Sequence, residues 1–230
     1  MKSFYISLGI LIIFIKNCYS NVIISKSNNI NSVMSFDCTS GNKNVKNTIP
    51  FSDCRSDVTI AVDSSSDLLI PMLFNDYELS LIKNNITADW ENFSNVSLVW
   101  YSGNPTVRTT TGTMETKSNF DLVLSSIRQD VGSNLNKLAE KLVNIPITLG
   151  NNLSTFIFIT NYDDQDQNTT YQNIQKLKKS GSINFIILGN IIKTQDLEPL
   201  QPSNIFYWNF DGNCIPLIVN FFQNSLSCNN

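Results

Sequence analysis

The stretch "DVTIAVDSSSDLL", residues 57–69, decides how the rest of the chain is read. Val58-Thr59-Ile60-Ala61-Val62 is an unbroken apolar and β-branched run, the pattern of a strand buried on both faces in a parallel sheet covered by helices. The run stops at Asp63, three serines and Asp67. Such a cluster falls at the carboxyl end of the strand, the edge where open α/β sheets bind ligands. A carboxylate followed by hydroxyls at alternate positions offers hard oxygen ligands to a divalent cation.

Outward from this strand, apolar runs and helical stripes alternate. A helix is expected over 70–86, with Pro71 in its first turn and Met72, Leu79, Ile82 and Ile86 on one face. "NVSLVWYSG" reads as a second strand, and the polar, β-branched "PTVRTTTG" as an edge strand hairpinned to it through Gly103-Asn104-Pro105. Helices follow at "SNFDLVLSSI" and "NLNKLAEKLVNI", separated by "RQDVGS". "LSTFIFITN" is a continuous apolar strand. Tyr171, Ile174 and Leu177 mark a helix with Gly181 placed to cap it, and "SINFIILGN" is another buried strand. A short helix at 194–200, a strand at "NIFYWNF" and a terminal helix carrying Ile215, Ile218, Phe222 and Leu226, with Asn213 as its cap, complete the pattern. The expected fold is one doubly wound α/β domain over 54–228, its sheet mostly parallel with one antiparallel edge strand and helices on both faces.

Residues 1–20 read as a signal peptide: Lys2, the apolar "FYISLGILIIFI" and a small-x-small site at Cys18-Tyr19-Ser20. The apolar run is too short to cross a bilayer of about 30 Å, so no membrane span is expected in the mature chain. Residues 21–53, rich in Asn, Ser and Lys, read as an irregular leader. Five N-x-S/T sequons, at Asn85, Asn92, Asn95, Asn152 and Asn168, agree with a secreted, extracellular glycoprotein. So does an even cysteine set once Cys18 is removed: Cys38, Cys54, Cys214 and Cys228. Cys214 and Cys228 would lie about 20 Å apart along the terminal helix, too far for a bridge. Of the two pairings left, Cys54–Cys228 with Cys38–Cys214 is favoured, because Cys54 precedes the first core strand and Cys228 follows the last helix.

The chain carries a net charge of −3 with no basic block, which gives nucleic-acid binding no support. It has no histidine. Ser-His-Asp and Cys-His catalysis and histidine metal sites are thereby removed, and no P-loop, G-x-G-x-x-G or G-x-S-x-G is present.

The element order, the acid-and-serine cluster after the first core strand, "GSN" opening a mid-chain helix and "FIFITN" as the fourth strand resemble a von Willebrand factor type A (VWA) domain. The resemblance implies a Mg²⁺ site at the top of the sheet, the metal-ion-dependent adhesion site (MIDAS), written D-x-S-x-S with a threonine from a second loop and an aspartate ending strand four. A carboxylate of the partner typically completes that shell. Carried over by position, Asp63 and Ser65 match, and Ser133 stands for the threonine. Asp67 replaces the second serine and Asn161 the aspartate. The site is a degenerate one, and a directly bound Asp67 would make the ion a weaker electrophile. Dependence on Mg²⁺, Mn²⁺ or Ca²⁺ is expected to be weak or lost.

The same Asp-Ser cluster would also cap the following helix without any ion. In "NYDDQDQN", Asp164, Asp166 and Asn168 have EF-hand-like spacing, but Thr169 and Gln175 stand where glycine and the bidentate glutamate are needed. Trp90, Trp100 and Trp208 are expected in the core or at its rim. The function expected is adhesion to an extracellular protein or matrix ligand, without catalysis. The alternatives are a metal-independent interaction domain, or a carboxylate-dependent hydrolase using Asp63, Asp67 and Asp163.

Overall fold

A computed structural model describes residues 33–38, 56–67, 69–162 and 166–228. The elements run β1 (Met34–Asp37), β2 (Ser56–Asp63), a helix over 71–86, β3 (Val96–Tyr101), β4 (Thr106–Thr109), α1 (Lys117–Ser125) and α2 (Leu135–Val143). They continue as β5 (Asn152–Ile159), α3 (Gln167–Lys178), β6 (Gly181–Leu188), α4 (Thr194–Leu197), β7 (Asn204–Trp208) and α5 (Ile215–Asn224). The strands form one sheet in the order β1-β7-β6-β5-β2-β3-β4. Six of them are parallel, and β4 pairs with β3 in the antiparallel sense.

Alternation along the strands divides the core in two. Val58, Ile60 and Val62 of β2 pack with Phe156 and Phe158 of β5 against the helix over 71–86, α1 and α5. On the opposite face, Ala61, Ile157 and Ile159 pack with Phe185 and Ile187 against α2, α3 and α4. This is the α/β arrangement expected from a strand-helix alternation in which the central strands are apolar on both faces. Trp90, Trp100 and Trp208 are all buried.

The leader expected to be irregular contributes β1, whose Met34 to Asp37 pair with Asn204 to Tyr207 of β7. Four residues in a polar context give no periodicity to read. The strand is held by tertiary contacts: Phe36 meets Phe221 edge-on, and Cys38 is disulfide-bonded to Cys214 with the Cα atoms 5.3 Å apart. Cys228 is also disulfide-bonded, while its expected partner Cys54, like residues 1–20, lies outside the described residues. Between these two bridges α5 is further tied to the sheet, since Ser154 Oγ accepts from Ser227 N at 2.7 Å and Ser182 Oγ donates to Ser225 O at 2.9 Å.

Three local expectations are corrected. The helix over 71–86 is largely π-helical, at Leu73–Leu79 and Ile82–Ile86, with Thr87 N donating to Ile82 O five residues back. Leu79, Ile82 and Ile86 are buried as expected, together with Phe74 and Glu78, whereas Met72 is exposed. Asn213 does not cap α5. Asp211 instead caps the single 3₁₀ turn before it, accepting from Asn213 N at 2.9 Å. Gly181 opens β6 and does not cap α3; a Cβ there would lie 1.8 Å from Leu153 O, so the strand backbones approach too closely for any side chain. Gly181→Ala is expected to cost about 3 kcal/mol or more, read as a melting temperature lowered by roughly 6–12 °C in thermal denaturation.

Candidate functional site

Chain connectivity creates the site. From β2 the chain adds β3 and β4 on one side, then returns past β2 to lay down β5, β6 and β7 on the other. The helix after β2 packs on one face and α3, after β5, on the opposite face. The carboxyl ends of β2 and β5 therefore border the crevice of a topological switch point.

Asp63 ends β2 at that crevice and is 0% exposed. Its Oδ1 accepts from Ser65 N at 3.1 Å and Ser65 Oγ at 2.7 Å. Its Oδ2 accepts from Thr160 N at 2.8 Å and Thr160 Oγ1 at 2.6 Å. Thr160, directly after β5, thus binds the end of β2 through its backbone and its side chain together. Burial pushes the Asp63 carboxyl up, and the hydrogen bonds from Thr160 and Ser65 pull it back down in part.

The third loop is stitched to the first. Asp130 N donates to Ser64 O and Ser66 N to Asp130 O, both at 2.9 Å, and Gly132 N reaches both Asp67 oxygens at 3.1 Å. Gly132 takes φ +89°, and a Cβ there would press on Gly103 at 3.1 Å, so glycine is required by conformation and by space. Two residues on, Asn134 caps α2 by accepting from Lys137 N at 2.9 Å. Ser133 Oγ is buried without a hydrogen-bond partner among the described residues, although it lies close enough to the Tyr101 phenol to favour its ionised form.

The structure thus brings Asp63, Ser65 and Thr160 into one hydrogen-bonded cluster and ties Asp67 to the loop that carries Ser133. Asn161 directly follows Thr160 and is half-buried. Asp163 and Asp164 lie outside the described residues. Asp166 is the N-cap residue of α3, and Asn168 lies in its first turn. Among the described residues no group of three or more His, Cys, Asp or Glu could hold a metal ion.

Two partners escaped the sequence reading. Thr160 was legible only as the last hydroxyl of an apolar strand. Glu78 is 0% exposed on the apolar stripe of the π-helical segment, and its Oε1 accepts from Asp63 N at 3.1 Å while Oε2 has no partner. An acid four residues from Phe74 and four from Ile82 was the available signal. Burial, and then the neighbouring Asp63 carboxylate, push the Glu78 carboxyl well above its ordinary range. The same burial, with both acids nearby, raises the Tyr101 phenol, whose hydroxyl donates to Phe158 O at 2.6 Å.

No protein-family model matches the chain, and no curated protein matches it in sequence. Solved structures do match. Proximal thread matrix protein 1 from the mussel byssus, with a zinc-occupied MIDAS motif, superposes with a TM-score of 0.64 at 10% identity, over 74% of this chain and 46% of its own. A von Willebrand factor type A structure from Catenulispora acidiphila gives 0.57 at 10% identity over 74% and 42%, and BatB from Bacteroides thetaiotaomicron 0.55 at 12% over 74% and 98%. The chain spans about half the length of the mussel protein. At such identities the likeness establishes the fold: this chain has the VWA fold.

Thr160→Val keeps the side-chain shape and removes one donor from the buried Asp63. It is expected to cost about 1.5–3 kcal/mol, a melting temperature roughly 3–12 °C lower. Thr155→Val, which deletes a buried hydroxyl that has no partner among the described residues, is expected to be neutral or stabilising in the same assay. A second measurement concerns pH. The folded protein holds the Glu78 proton more tightly than the unfolded chain, so stability falls as pH rises from the unfolded carboxyl range, about 4.3, towards the raised folded value. Glu78→Gln should flatten that decline and melt higher than wild type at neutral and alkaline pH.

Proposed function

We propose that this chain is a secreted, extracellular binding domain of VWA type, which engages a protein or matrix ligand through the loops after β2, before α2 and after β5. Its neighbours in fold belong to a class of adhesion and protein-interaction domains. The reading rests above all on the convergence of these loops at the switch point: Thr160 holds Asp63, and Asp67 holds Gly132. A loop set braced in this way presents a pre-organised surface and loses little entropy on binding. Extracellular residence is supported by the Cys38–Cys214 disulfide and by the leader-like first twenty residues. Among the described residues no helix is long and apolar enough to cross a membrane.

The residues at the site do not suit tight cation binding. Asp63 is sealed from solvent, and both of its oxygens already accept two hydrogen bonds. Asp67 is engaged by Gly132 N, and Asn161 brings an amide where the family pattern has a carboxylate. Ser133 Oγ and Glu78 Oε2 are buried without a hydrogen-bond partner among the described residues. Adhesion is therefore read as independent of Mg²⁺, through shape and loop chemistry. The sealing of Asp63 also counts against its pairing with Asp67 for acid-base hydrolysis, which needs an accessible carboxyl group.

Two measurements test this reading. Titration calorimetry with Mg²⁺ and Mn²⁺ should give no isotherm tighter than about 1 mM, the weak end of extracellular cation modules, in wild type or Asp63→Ala. Capture of a partner by the mature protein from secreted and matrix extracts should be equal in Mg²⁺ and in EDTA. A micromolar isotherm abolished by Ser133→Ala, or capture lost in EDTA, would overturn the metal-independent reading.

A further inference from the structure

One of the five sequons sits beside a surface suited to the sugar it would carry. Asn168, in the first turn of α3, is exposed, and it lines a groove of about 310 Å³ with Gln167, Tyr171, Pro199 and Gln201. That volume is at the low end of small-molecule sites, about 300 Å³, and suits one or two sugar rings better than an extended polymer. Asn168 and Tyr171 are three residues apart on one helix, so their side chains are neighbours.

The groove has the chemistry of a neutral sugar site. Tyr171 packs partly against the second core cluster while also lining the groove, which gives the apolar face of a pyranose a fixed ring to rest on. The side-chain amides of Gln167 and Gln201 line the groove beside Asn168 and offer donors and acceptors to ring hydroxyls and an acetamido group. No basic residue lines it. Its far wall is rigid: Gln175 Nε2 donates to Leu200 O at 3.0 Å, Lys178 Nζ donates to Gln201 O at 2.7 Å, and Gln201 itself is held at φ +52°. A site built this way needs little ordering when filled.

The other sequons lack this setting. Asn85 and Asn95 are half-buried, Asn152 opens β5 beside Ser56, and the Oδ1 of Asn92 accepts from Ser94 N at 2.8 Å. We infer that Asn168 carries an N-linked glycan whose first N-acetylglucosamine seats on Tyr171 between α3 and the 198–201 turn, so that the sugar is a structural part of the domain's surface. The glycan is joined by an N-glycosidic bond from Asn168 Nδ2, the oligosaccharide being supplied on a lipid pyrophosphate donor that leaves as the bond forms. This inference rests on the secretory reading given above.

The full chain, expressed in a eukaryotic host that adds oligomannose glycans, is analysed by glycopeptide mass spectrometry and thermal melting. Asn168 is expected to be occupied. Trimming to the first N-acetylglucosamine with an endoglycosidase should leave the melting temperature unchanged, whereas the unglycosylated Asn168→Gln variant should melt roughly 2–4 °C lower, the shift that about 1 kcal/mol gives at this size. Tyr171→Leu, which keeps apolar packing but removes the ring, should abolish the difference between the glycan-bearing and Asn168→Gln forms. Gln201→Ala, a surface change, should shrink that difference. Occupied Asn92 with bare Asn168 would overturn the inference and leave the secretory reading standing, and glycan at no sequon would overturn both. An occupied Asn168 whose stabilisation is untouched by Tyr171→Leu and Gln201→Ala would overturn the seat.

Discussion

The structure depends on a carboxylate sealed from solvent. Asp63 is placed at the end of the central strand, inside the fold, and its charge is supported by four donors drawn from two loops. Unpaired, a buried carboxylate would cost several kcal/mol or take up a proton. Satisfying it forces Thr160 to the end of β2 and Ser65 back onto its own strand, so the loops after two different strands are fixed by one anion. The remaining loop follows, because Ser64, Ser66 and Asp67 present their backbone and carboxylate groups to residues 130–132.

Beneath this sits a second acid that the fold tolerates at a cost. Glu78 caps the amide of Asp63 with one oxygen and leaves the other without a partner. Its helix is wound with five-residue hydrogen bonds over much of its length, a geometry that appears mostly in short pieces and often at functional sites. A π-wound helix and a buried acid with one oxygen unsatisfied among the described residues together mark this end of the sheet as shaped by something other than stability. The opposite end is conventional: Ser154 Oγ accepts from Ser227 N and Ser182 Oγ donates to Ser225 O, tying the residues that follow α5 to the sheet.

The positions at which this sequence differs from the VWA metal motif form a consistent set. The charge that an aspartate after strand four would bring to the site is absent at Asn161, and the one that appears at Asp67 is spent on an amide hydrogen bond. What remains is a braced, largely self-satisfied loop surface. On the far side of the molecule from the helix over 71–86, the α3 groove adds a second surface whose walls are equally fixed, and which belongs to modification more naturally than to ligand capture.

The α/β alternation, the two-faced burial of the central strands and the exclusion of a Cys214–Cys228 bridge were all legible in the chain, because each depends on local periodicity or on short, nearly fixed distances. The Cys38–Cys214 pairing was narrowed in the same way. Tertiary structure alone decided the rest. β1 exists because β7, Phe221 and Cys214 are there to receive four otherwise featureless residues. Gly181 is required by the closeness of Leu153, a residue 28 positions away by the pairing of β5 with β6. Thr160 and Glu78 became partners of Asp63 only when the strand order brought β5 beside β2 and laid a π-wound helix across them. Hydrogen-bond satisfaction of a buried group is a property of everything that surrounds it, and no local stretch of sequence contains that information.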